Sequence, residues 1–141
     1  MKKIVFPRPC DGALYDCWTL EKWMLKVCEE CGEAVSAAKT FDLDVKLYNG
    51  AAQDAAREDA TEPQNAYATF LLGKMEHARE HLCMELTDVI TAATSALAYL
   101  GCDFDERQSL QAEVNDKNAR RDKGRRFASP FIVDDEEAED E

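Results

Sequence analysis

The chain has 141 residues, of which 45% are apolar, and a formal net charge of -12. That length suits one domain with a modest core, the apolar content excludes a chain that stays unfolded, and no run approaches the ~20 apolar residues that a membrane helix needs. Seven of the acids lie in the last eight residues, DDEEAEDE, and without them 22 acids face 17 bases for a net of -5, which argues against duplex nucleic acid as a partner because phosphates attract basic surfaces.

From the N-terminus, MKKIVFPRP begins with charge but is interrupted by Pro7 and Pro9. No secretory signal is expected, and the expected location is the cytoplasm. The six cysteines, at 10, 17, 28, 31, 83 and 102, would stay reduced there. Residues 1–15 read as an irregular arm broken by Pro7, Pro9 and Gly12. Asp16 or Thr19 is the expected cap of a helix through WTLEKWMLKVCEECGEAVSAAKT, with Gly32 its one weak position.

Residues 41–64 carry mixed signals. YNG at 48–50 reads as a turn, AAQDAARED as a short helix and TEPQN as its end. A long helical pattern follows from about Asn65 to Leu100, with a kink expected at Gly73. Leu82, Leu86, Val89, Ala93 and Leu100 form its expected apolar face, and Gly101 its C-cap. A last helix is expected from Glu106 to Arg121, ended by Gly124. No segment alternates as a strand would, and no repeat is present. The fold class is therefore all-α, a helical domain over 16–127 followed by an acidic tail over 128–141 that is expected to be disordered.

CEECGE, at 28–33, offers two chemistries. At 100° per residue Glu33 falls about 40° and Glu30 about 100° from Glu29, while Cys28 and Cys31 fall on the other side, beside Val35. A structural zinc site needs four ligands, and the chain has no second CxxC. Cys28 and Cys31 are expected to pack in the core as thiols. One ExxE is usually only a solvated face, but ELTD supplies a second pair, Glu85 and Asp88, at the edge of an apolar stripe. Unpaired charge is costly there. Two such pairs on facing helices could supply a site for Mg2+, which prefers oxygen ligands. The Glu-x-x-His of di-iron bundles is absent. His77, His81 and Glu85 follow i, i+4 spacing, but both histidines read best as surface or polar-core residues. Lys22 and Lys26 read as ion-pair partners of the neighbouring glutamates. NDKNARRDKGRRF brings Lys117, Asn118, Arg120, Arg121, Lys123, Arg125 and Arg126 together, either as complement to a helix dipole or as a grip for polyphosphate.

EECGE, ELTDVITAATSALAYLG and EVNDKNARR, in that order, resemble the MazG-like all-α nucleoside triphosphate pyrophosphohydrolases, and the wording is closest to phage-type members. The blocks cover roughly half the chain. The family pattern maps onto Glu29, Glu30 and Glu33, then Glu85 and Asp88, then Lys117, Asn118 and Arg121. The 51 residues between Glu33 and Glu85 exceed the spacing of compact members, so an insertion or extra helix is expected around 41–74. The resemblance implies Mg2+-dependent hydrolysis of a nucleoside triphosphate to monophosphate and pyrophosphate, with Mn2+ as a substitute metal. It implies Glu30, Glu33, Glu85 and Asp88 as metal ligands, and Glu29 as the residue that orients or deprotonates water or holds an extra metal. Lys117, Asn118 and Arg121 would contact phosphate or sugar oxygens. Trp18, Trp23 or Tyr99 could stack on a base, though each reads better as core. The resemblance also implies a bundle completed by a homodimer or homotetramer. A non-catalytic association bundle and a cysteine-based metal or redox protein are the competing readings.

Overall fold

Thr19 opens the first long helix by accepting the Lys22 N–H on its hydroxyl at 3.2 Å. The computed structural model describes residues 2–128, and the chain divides into two compact units, one ending at Gly101 and one beginning at Cys102. The acidic tail lies outside the described residues except for Ala128. Among those residues there is no strand, and no helix is long and apolar enough to cross a membrane.

The first unit is an antiparallel hairpin of α1 (Leu20–Ala55) and α2 (Glu62–Tyr99). Each helix is about 55 Å long at 1.5 Å per residue. Helix α1 does not stop near Thr40, and the turn expected at Tyr48-Asn49-Gly50 is absent. The reason is tertiary: Tyr48, Ala51 and Ala55 pack against Ala68 and Leu71 of α2. That contact outweighs the roughly 1 kcal/mol that a mid-helix glycine costs. TEPQN begins a helix rather than ending one. The Thr61 hydroxyl accepts the Gln64 N–H at 3.4 Å, and the Gln64 side-chain amide oxygen accepts the Thr61 N–H at 2.8 Å. This reciprocal cap, with Pro63 in the first turn, is a strong start signal. No break occurs at Gly73. The segment 41–74 thus forms the far half of the hairpin and its turn. Gly101, at φ +76°, ends α2 in the left-handed conformation that glycine tolerates.

The seam between the helices is built from small side chains. Ala34, Ala37, Ala51, Ala68, Ala78, Ala92 and Ala96 are buried, with Trp23 and Leu71 the large exceptions. Leu86 and Leu100, expected in the core, are 49% and 62% exposed. Alanine lets two helices approach closely, and that proximity turns the larger residues of α2 outward or to the flanks. Thr94 and Ser95 are buried among the alanines and donate to the carbonyls of Ile90 and Thr91, one turn back. Asp44 is buried on α1 and pairs with Lys74 of α2 at 3.4 Å.

The arm docks on this unit. A short 3-10 turn, Ala13–Tyr15, follows extended chain. The Cys10 N–H donates to the Ser95 hydroxyl at 2.9 Å. Tyr15, Trp18 and Trp23 form an aromatic cluster with centroids 4.5 to 5.1 Å apart, and Lys22 lies over the Trp18 ring.

In the second unit, Asp103 caps α3 (Phe104–Arg120) by accepting the Glu106 N–H at 2.9 Å. Lys117 and Arg120 occupy its last turn, where cations complement the dipole. A 3-10 turn, Arg121–Gly124, has positive φ at Asp122, Lys123 and Gly124.

Candidate metal centre

Glu30 and Glu33 stand three apart on α1, so both project toward one strip of α2. Glu85 meets them there. The three residues can each place a carboxylate oxygen within 4.8 Å of the others. Oxygens on one Mg2+ at about 2.1 Å are at most about 4.2 Å apart, so small rotamer adjustments would bring the three onto one ion. The donor set, all oxygen, suits a hard cation.

Burial differs along the cluster. The Glu30 side chain is 10% exposed and that of Glu85 is 17% exposed, whereas Glu29 is 60% exposed. Lys26, one turn before Glu30, places its ammonium 2.6 Å from a Glu30 oxygen and 3.5 Å from one of Glu29. The bond to Glu30 raises the Lys26 pKa above the usual lysine value. The negative charge of Glu30, followed by a hydrogen bond to it, raises the Glu33 pKa above the ordinary carboxylate value, with Glu85 adding to the effect. One ammonium therefore does not balance the cluster. On α2, His81 Nε2 lies 2.9 Å from an oxygen of Glu85.

Two concavities flank the carboxylates. A groove of about 420 Å³ is lined by Glu29, Gly32, Glu33, Ser36, Thr40 and His81, among others. A smaller cavity of about 130 Å³ is lined by Lys26, Glu30 and Asp88 together with Tyr15, Trp18 and Trp23, among others. Asp88 is exposed and stands outside the triad, as does Glu29; each lines a cavity that also includes a triad member.

Lys117, Asn118 and Arg121 belong to the second unit and cluster at the end of α3. The Asn118 side-chain oxygen, Oδ1, accepts from Arg126 at 3.0 Å, and Arg126 also pairs with Asp122 at 2.8 Å. Cys28 and Cys31 are exposed, which corrects their expected place in the core: the seam takes Ala34 and Ala37 instead. All six cysteines are free thiols. Trp23 is buried and Tyr99 is 51% exposed, so the aromatics divide between core and surface.

The His81–Glu85 pair was visible in the sequence only as i, i+4 spacing, which many surface pairs share. Asp44–Lys74 gave no local signal, since its partners are thirty residues apart. No protein-family model, curated protein or solved structure matches the chain.

Proposed function

We propose that this protein is a Mg2+-dependent nucleoside triphosphate pyrophosphohydrolase of the MazG-like kind, releasing nucleoside monophosphate and pyrophosphate. The observation that carries this reading is the convergence of Glu30, Glu33 and Glu85 from two helices. Three carboxylates brought together, of which Glu30 is buried, Glu85 partly buried and Glu33 exposed, repel one another, and a divalent cation offsets that cost.

Glu30, Glu33 and Glu85, with Asp88 at the rim, would hold Mg2+ or its substitute Mn2+. When bound, the ion supplies charge neutralisation on the phosphates and a more acidic water. Glu29 lines the open groove and has no part in the triad, which suits a base that orients or deprotonates the attacking water. Attack on the α-phosphorus breaks its bond to the bridging oxygen and releases pyrophosphate. The resemblance is what brings in Lys117, Asn118 and Arg121, which would contact phosphate or sugar oxygens as charge-assisted donors.

Association of chains is part of the proposal. Met24, Leu25, Val35, Leu43 and Leu47 on α1, and Tyr67, Phe70, Met84 and Ile90 on α2, are large apolar residues left exposed on the hairpin. A twofold partner presenting the same surface would cover them and complete a helical bundle. The same faces favour a purely associative bundle as the second reading. A screen of nucleoside triphosphates with Mg2+, reading pyrophosphate against orthophosphate, separates the two: an enzyme releases pyrophosphate and loses that activity in Glu33→Gln, whereas a passive bundle releases none.

A further inference from the structure

Within the triad, each carboxylate is held differently. Glu30 is tied to Lys26 on its own helix, and Glu33 has a carboxylate oxygen within 4.8 Å of those of Glu30 and Glu85. Glu85 is the one member contributed by α2, so its rotamer decides whether the triad closes across the seam. One turn before it, His81 Nε2 lies 2.9 Å from Glu85 Oε1. The same imidazole forms part of the wall of the 420 Å³ groove beside Glu29, Glu33, Ser36 and Thr40. His81 thus contacts Glu85 and borders the open groove.

We infer that His81 is a positioning residue of the metal centre. Its Nε2–H holds one oxygen of Glu85 and so fixes the direction in which the carboxylate meets Glu30 and Glu33. A ligating carboxylate oriented by such a donor starts closer to its bound geometry, and loss of such an outer partner typically weakens metal binding about 10–100-fold. The inference rests on reading the triad as a metal centre. A purely electrostatic role for His81 predicts the opposite sign. An imidazole acting only as a competing cation would, once removed, leave the site more negative and tighten metal binding.

The test is titration of the purified full-length chain with Mn2+ alone, following free Mn2+ by electron paramagnetic resonance, for wild type, His81→Ala, His81→Gln and Glu33→Gln. The Gln amide can donate from near the Nε2 position, so it serves as the conservative rescue. The expected result is wild-type binding that is lost in Glu33→Gln, weakened about tenfold in His81→Ala, and largely restored in His81→Gln. The defect of His81→Ala should appear as a higher Mn2+ concentration at half-saturation, and the His81→Gln variant should bring that concentration back towards the wild-type value. Unchanged or tighter binding in His81→Ala overturns the positioning role while leaving the metal reading intact. Absence of Mn2+ binding by wild type, or full binding by Glu33→Gln, overturns the metal reading and this inference with it. His81 is exposed, and equal unfolding curves in chelator for wild type and His81→Ala would exclude a folding defect.

Discussion

Lys26 and Glu30 form a 2.6 Å ion pair one helical turn apart, with the Glu30 side chain only 10% exposed. The carboxylate cluster therefore carries its own tethered cation. Lys26→Met should leave a buried glutamate beside Glu33 and Glu29 without its counter-charge, and should lower the stability of the metal-free protein by about 1–2 kcal/mol. Mg2+ should then raise the melting temperature of the variant more than that of wild type. Equal melting in chelator for the two proteins would show that the pair contributes little.

Glu33→Gln and Asp88→Asn probe the two sides of the centre. Glu33 belongs to the triad, so its amide should abolish metal-dependent turnover with the helical circular dichroism unchanged. Asp88 stands at the rim beside Glu30, and Asp88→Asn should also abolish activity while the triad's own Mn2+ binding persists. Turnover surviving in both variants would remove these residues from the mechanism.

Acidity should report on Glu33. Its folded pKa is raised, chiefly by Glu30, so between the unfolded and folded values the native state holds a proton that the unfolded chain has released. Stability must then fall as pH rises through that window. The repulsion is fully present above the folded pKa and gone below the unfolded one. Metal-free wild type should gain stability relative to Glu33→Gln as pH is lowered from neutrality through the raised carboxylate range. Parallel pH–stability curves would contradict this.

The exposed Cys28 and Cys31 should react with a thiol reagent in the native protein. Replacing both with Ser should change stability by no more than about 0.5 kcal/mol, the usual range for surface substitutions, and leave turnover unaltered. A cysteine-based function would instead be lost.

Much of this architecture was legible locally. Thr19 before an Ala-, Leu- and Glu-rich run, and Gly101 after a long apolar pattern, mark helix ends through their own backbone chemistry. Asn49-Gly50 misled because turn propensity is weak beside the packing of Tyr48, Ala51 and Ala55 on Leu71. The apolar face of α2 was misplaced for a related reason. Hydrophobicity picked out Leu86 and Leu100, whereas close helix approach selects Ala92, Ser95 and Ala96. At the site, i, i+3 spacing put Glu30 with Glu33 and Glu85 with Asp88. Which of the four would meet depends on the rotation of one helix against the other, and no single-helix pattern contains that.

Association can be measured by light scattering across a dilution series. The exposed apolar residues of α1 and α2 predict a dimer or tetramer at micromolar concentration, with specific activity falling as it dissociates. A species of one chain mass that keeps full specific activity when dilute would contradict it.

The most direct measurement is product identity. Purified protein is incubated with α-32P- and γ-32P-labelled nucleoside triphosphates and Mg2+, and the labelled products are separated. The account predicts monophosphate from the α label and pyrophosphate from the γ label, in equal amounts. Both should disappear on chelation and in Glu33→Gln. Orthophosphate as the sole γ-labelled product, or no turnover of any nucleoside triphosphate by a protein that binds Mn2+ at the triad, would contradict it.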